Sequence, residues 1–199
     1  MTDSYVTAPE LADALPTNNL SDATLIDLAI TGASRGVDAY CGTQFGTPAA
    51  TSIRHYYPPG GQVMTVHPIA DTTGLVVKTD PAGDGSWSTT WTMTTDYLLL
   101  PLDAASEIPA RPYTQIWLPT LTFPAATGRP TVQVTALFGW PTVPADVRAA
   151  TLLLARDLFK ELKDAPFGVA GTAEFGVLRI RANNTAQMLL GRYRRPMVA

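Results

Sequence analysis

The run VVKTDPAGDGSWSTTWTMTTDYLLLP, from Val76 to Pro101, constrains the fold more than any other part of the chain. It reads as a strand, a tight turn, a second strand and then a third. Asp84-Gly85 is a strong hairpin signal, because a primed turn needs positive φ at its centre. Beyond it, Trp87, Thr89, Trp91 and Met93 alternate with Ser88, Thr90 and Thr92, which predicts a half-buried strand. Helical patterns flank this β-rich middle on both sides. With no recognisable catalytic apparatus between them, that order points to an assembly part rather than an enzyme.

The N-terminal helical pattern begins with Thr7-Ala8-Pro9-Glu10, a capping box with proline near the first helical position. It predicts a short helix to about Leu15, stopped by Pro16. Ser21-Asp22-Ala23 opens a longer helix to about Tyr40, with Leu25, Leu28, Ala29, Val37 and Tyr40 as its apolar stripe. Gly32 and Gly36 sit inside it, four apart, which allows close packing or weakens the helix locally. At the other end, Pro144-Ala-Asp-Val147 starts a helix that ends near Asp164. Its core stripe is Val147, Ala150, Thr151, Leu154, Leu158 and Leu162. Leu152, Leu153 and Phe159 widen that stripe, so more than one face is expected to be buried.

Between the helical ends the composition turns to Thr, Pro, Gly, Val and aromatics. Strands are predicted at Thr51–Tyr57, Gln62–Val66, Leu75–Asp80, Trp87–Thr92, Tyr97–Leu100, Gln115–Leu118 and Thr131–Phe138. The predicted fold is therefore α+β: a helical body from both chain ends with an inserted antiparallel β module, a small sandwich or barrel. The expected boundaries are 1–42 and 144–164 for the helical body, 43–143 for the β module and 165–199 for a terminal arm. Within the arm, Phe175–Ala182 (FGVLRIRA) has extended, alternating character, and Asn183-Asn184-Thr185 can cap a last helix, Ala186–Tyr193.

Charge is unevenly spread. Residues 1–143 hold 12 acids and 5 bases, a net of −7, whereas residues 144–199 hold 5 acids and 9 bases, a net of +4. The basic end carries Arg179, Arg181, Arg192, Arg194 and Arg195. Arginine forks suit phosphate or acidic protein surfaces, and arginines also complement a helix C-terminus. The overall net charge of −3 argues against free-standing, tight DNA binding.

Catalytic and metal chemistry find little support. Two histidines, His55 and His67, and a single cysteine, Cys41, give no zinc spacing. Asp80–Gly85 lacks the carboxylate pattern of a calcium loop. No nucleophile elbow, P-loop or dinucleotide fingerprint occurs. No cofactor, no metal and no enzymatic activity are expected. The polar, acidic start MTDSYVTAPE has no signal-peptide character, and no apolar run is long enough to cross a membrane. A cytoplasmic, reducing site of folding is expected.

The order of parts resembles the head–tail connector (adaptor) family of long-tailed bacteriophages. The resemblance rests on the N-terminal helix pair, the hairpin run quoted above, and VPADVRAATLLLARDLFKEL followed by a polar loop and an arginine-rich end. It implies a virion neck protein, assembled in the host cytoplasm, that forms a ring of about twelve copies on the portal protein. Double-stranded DNA would pass through without sequence reading, and the next neck or tail-side protein would dock on the far side. It further implies a portal- or neighbour-gripping arm made by Phe175, Val177, Leu178, Arg179, Ile180, Arg181, Met188, Leu189, Arg192, Tyr193, Arg194 and Arg195. Leu152, Leu153, Arg156 and Phe159 would serve subunit contact.

Two other readings compete. A ligand-binding, carbohydrate-type β module would stack sugars on exposed Trp87, Trp91, Trp117 and Trp140. An enzyme with an unrecognised carboxylate or histidine site would depend on His55 and His67.

Overall fold

The computed structural model describes residues 4–15, 22–46, 49–125, 128–164, 180 and 183–194. The chain divides into two compact units: Met1–Gly46 with Val143–Ala199, and Thr47–Thr142. Each is described separately.

The first unit is helical. Helix α1 (Ala8–Asp13) is set by the expected capping box: the Thr7 N–H donates to Glu10 Oε2 at 2.8 Å, and the Thr7 hydroxyl to the same oxygen at 2.9 Å. It ends two residues earlier than predicted, because Ala14 and Leu15 already bond three residues back, as in a tightened last turn.

Helix α2 (Ala23–Cys41) ends on Gly42, whose φ of 66° makes a left-handed cap. Its buried stripe is Ile26, Ala29, Ile30, Ala33, Val37 and Cys41. The predicted stripe is correct at Ala29 and Val37 but out of phase elsewhere. Leu28 is 44% exposed, and Leu25 and Tyr40 are only half-buried. Burying the branched Ile26 and Ile30 with the small Ala29 and Ala33 lets α2 pack tightly on helix α3 (Ala145–Asp164).

Helix α3 buries Val147, Ala150, Thr151, Leu154, Ala155, Leu158 and Phe159. The Thr151 hydroxyl donates to the Val147 carbonyl at 2.8 Å, which satisfies it inside the core. Helix α4 (Asn184–Leu190) runs into a 3-10 turn, Gly191–Tyr193, and packs on α3. Asn183 caps it as expected, its Oδ1 accepting the Ala186 N–H at 3.0 Å.

The second unit is β-rich, with strands β1 (Ser52–Tyr56), β2 (Val63–Ile69), β3 (Val76–Thr79), β4 (Thr89–Trp91), β5 (Leu98–Leu100), β6 (Tyr113–Trp117) and β7 (Val132–Ala136). All seven predicted strands are present. They form two antiparallel sheets, in the orders β1-β7-β3-β4 and β2-β6-β5, and do not close into a barrel. The molecule is thus α+β. A bridge from Ile69 to Phe138 links the sheets at one corner. Between them lies one apolar core that includes Met64, Val66, Ile69, Val77, Tyr97, Ile116, Leu118 and Val134. Burial pushes the Tyr97 phenol up to about 12.

The hairpin differs in detail from its expectation. β3 and β4 pair as predicted, Thr79 opposite Thr89, but the connection spans residues 80–88 rather than a two-residue turn. The buried Asp80 carboxylate organises it, accepting the N–H groups of Gly83 at 2.9 Å and Gly85 at 2.6 Å. Trp87 has a φ of 47° and so leaves the strand, which interrupts the predicted alternation.

Candidate assembly surface

The arginine-rich end carries most of the residues expected to meet a partner. Phe175, Val177, Leu178, Arg179, Arg181 and Arg195 lie outside the described residues. Ile180 is described, and it is helical and fully buried rather than part of an extended strand. In α4, Ala186 and Leu190 face inward, Leu189 is half-buried and Met188 is 80% exposed. Met188 is thus the apolar side chain of α4 most open to a partner.

The arginines that follow are held by the chain itself. Arg192 pairs with Asp146 at the start of α3 and donates to the Tyr193 hydroxyl at 2.6 Å. The Tyr193 ring meets Phe45 edge-on at 5.5 Å, and the Arg194 guanidinium lies 5.7 Å from the centre of the Tyr40 ring. Both arginines stay exposed. On α3, Leu152, Leu153 and Arg156 are half-buried, whereas Phe159 is buried within the chain.

A polar network invisible to sequence reading ties the N-terminal segment to α2. The Tyr5 hydroxyl donates to Asp38 and accepts the Phe45 N–H at 2.8 Å, and the Tyr5 N–H donates to Ser34 Oγ at 3.2 Å. Arg35 pairs with Asp38 at 2.9 Å. Burial raises the Tyr5 phenol pKa, and the bond to Asp38 adds to it. Burial also raises the Asp38 carboxyl, against the lowering by Tyr5 and Arg35. A depression of about 430 Å³ adjoins this group, lined by Arg35, Asp38, Ala39, Gly42, Thr43 and Gln44. Tyr5 and Asp38 stand 33 residues apart, so no local pattern announces their contact.

The β unit offers other surfaces. On edge strand β1, Ile53 is 57% exposed, and Tyr57 just beyond it 63%. In the loop between β5 and β6, Leu102 and Ile108 project into solvent. The Arg111 N–H donates to the Ala104 carbonyl at 2.9 Å and holds that loop together. The tryptophans form no common platform. Trp91 packs on Phe123 at the core, Trp87 leans on His55 with ring centroids 5.0 Å apart, and Trp117 alternates with the buried Ile116 on the other sheet.

The groups weighed for catalysis are engaged structurally. Cys41 is buried and its thiol is pushed up to about 12 by that burial. His55 Nε2 meets the Gln133 amide nitrogen at 3.1 Å, and His67 Nδ1 meets the Tyr56 hydroxyl at 3.0 Å. Among the described residues no cluster of three metal-ligating side chains occurs, and no helix is long and apolar enough to cross a membrane.

No protein-family model matches the chain, and no curated protein does. Among the solved structures similar to it in fold are two chains of particle assemblies. One is a chain of the neck of an empty GTA particle computed with C6 symmetry, 19% identical, with a TM-score of 0.52 over 100% of this chain and 97% of that chain. The other is a chain of the virion of a native gene transfer agent (GTA) particle, 19% identical, with a TM-score of 0.53 over 98% of this chain and 92% of that one. At this identity the likeness is one of fold.

Proposed function

We propose that the chain is a structural neck protein of a phage-like particle, the connector that rings the portal and carries the docking surface for the next neck or tail-side protein. The observation that carries this reading is the fold likeness, which extends over nearly the whole of this chain and of the two particle chains compared with it. A likeness of helical and β parts together is harder to reach by chance than one limited to a common helix pair. The order of parts in the sequence supports the same reading independently.

In this reading about twelve copies form a closed ring with different patches on the two sides of each subunit. The six-fold symmetry applied to the neighbouring neck is compatible with six or twelve. DNA passes through the ring without being read. Residues 175–195 meet the portal or the adjacent copy, with Met188 as the apolar contact of α4 and Arg192 and Arg194 at its rim. Leu152, Leu153 and Arg156 on α3 add to subunit contact, while Phe159 serves the chain's own core. The protein acts in the virion after assembly in the host cytoplasm, and it needs no cofactor or catalytic step.

The test is genetic. Removing the gene from its particle is expected to leave filled heads and finished tails that stay apart, and supplying the chain in trans should rejoin them. Normal particles without it would refute the proposal.

A further inference from the structure

The two sheets treat their edges differently. In the three-stranded sheet, β2 contains Pro68 and a register shift between Thr65 and Ile69, and β5 runs directly into Pro101. Proline and irregular register both blunt an edge against further pairing. In the four-stranded sheet, β1 has neither. Its five residues pair in unbroken register with β7 on one side. Among the described residues β1 and β4 each have one strand neighbour.

We infer that β4 of one copy pairs with β1 of the next, so that the four-stranded sheets of neighbouring copies join into one antiparallel ladder. This deepens the connector reading and rests on it, since it names the contact between copies. Strand polarity supplies the first argument. The sheet order is β1-β7-β3-β4 and every pairing in it is antiparallel. With four strands the two edges therefore run in opposite directions, and a head-to-tail neighbour in the same orientation meets the edge antiparallel. An odd strand count would have produced a parallel join.

Side chains supply the second argument. Arg54, Val134, Val77 and Trp91 occupy one row across the sheet on its core-facing side. Arg54 sits over the Phe138 ring at 4.2 Å. Two β1 strands placed together would bring Arg54 beside its own copy, which is repulsive. A β4 edge instead brings the half-buried Trp91 toward Arg54, a favourable cation–π neighbour. The occupant is thus a second copy, joined head to tail.

The test uses cysteine pairs on the outer row, His55→Cys with Thr90→Cys and Ile53→Cys with Thr90→Cys. Within one chain β1 and β4 are separated by three strand spacings, about 14 Å. A disulfide needs Cα atoms within roughly 4.4–6.8 Å, so any bond formed is between copies. Cys41 is buried and will not interfere. Assemblies purified after co-expression with the portal protein of the same genome are oxidised and run on denaturing, non-reducing gels. The expected result is a ladder of dimers and higher multiples for at least one pair, and monomer for each single variant. Rings that form without any ladder would overturn the sheet join and leave the connector reading intact. Dimers from His55→Cys alone would show β1 facing β1 and also overturn it. Failure of the unaltered chain to assemble at all would remove the connector reading and this inference together.

Discussion

Buried polar groups are handled differently in the two units. In the helical unit one group joins distant parts of the chain: Tyr5 reaches Ser34, Asp38 and Phe45, across 29 to 40 residues, beside local bonds such as that of Thr151 to Val147. In the β unit they stay local: Asp80 serves Gly83 and Gly85, and the Thr131 hydroxyl bonds the Pro124 carbonyl at 2.7 Å. Long-range bonds form only when the tertiary structure does, whereas local ones shape a loop. The helical unit should therefore carry the sensitivity to polar substitution and to pH, and the β unit the sensitivity to loss of apolar volume.

All four tryptophans lie in the β unit, so fluorescence follows that unit while far-UV circular dichroism follows the helices. The largest expected effect comes from matched truncations, Ile26→Ala and Ile116→Ala. Each removes a fully buried side chain and should cost about 2–5 kcal/mol. In denaturant titrations, Ile116→Ala should move the fluorescence transition first and Ile26→Ala the helical one. Equal movement of both signals by both variants would erase the distinction between the units. Tyr5→Phe comes next, at about 1–3 kcal/mol, because it strands the Phe45 N–H and part of Asp38. Thr131→Val, its counterpart in the β unit, should cost less, read from the same titrations.

The pH dependence sharpens the contrast. The folded state holds the Asp38 proton more tightly than the unfolded chain, so this group makes stability fall as pH rises from the ordinary carboxylate range through its raised pKa. Asp38→Asn should remove that slope. Glu10 acts oppositely. The Thr7 N–H holds its pKa down, and the Thr7 hydroxyl and Arg148 add to this. Its contribution is present above the ordinary glutamate pKa and lost as pH falls through the depressed one. Thermal melts of Asp38→Asn and Glu10→Gln across acidic pH should diverge in opposite directions, seen in the helical signal. Cys41, with its thiol pushed up to about 12, should resist a disulfide-exchange reagent at neutral pH until the helical unit unfolds. The smallest effect belongs to Arg192→Ala, which breaks an exposed pair with Asp146 and should change stability by about 1 kcal/mol or less.

Local chemistry was legible in the sequence. The Thr7–Glu10 capping box and the Asn183 cap fall where spacing places them, and β7 lies within the predicted strand Thr131–Phe138. The phase of α2 was not legible, because Leu25 and Leu28 compete with Ile26 and Ile30 and only the packing on α3 chooses between them. The connection between β3 and β4 was misread because Asp84-Gly85 is a strong turn signal. Asp80, four residues earlier, organises a wider loop that no dipeptide rule anticipates. For the proposed partner surface, the sequence pointed to Met188, Arg192, Tyr193 and Arg194 but not to the contacts of Arg192 with Asp146, Tyr193 with Phe45 and Arg194 with Tyr40. The unblunted edge of β1 depends on sheet order, which no single strand reveals.

The most direct test of the connector reading is native mass spectrometry of the chain alone and after co-expression with the portal protein of the same genome. The account predicts a discrete ring-sized complex with the portal, whose mass counts the copies. A chain that remains monomeric and ignores the portal would contradict it.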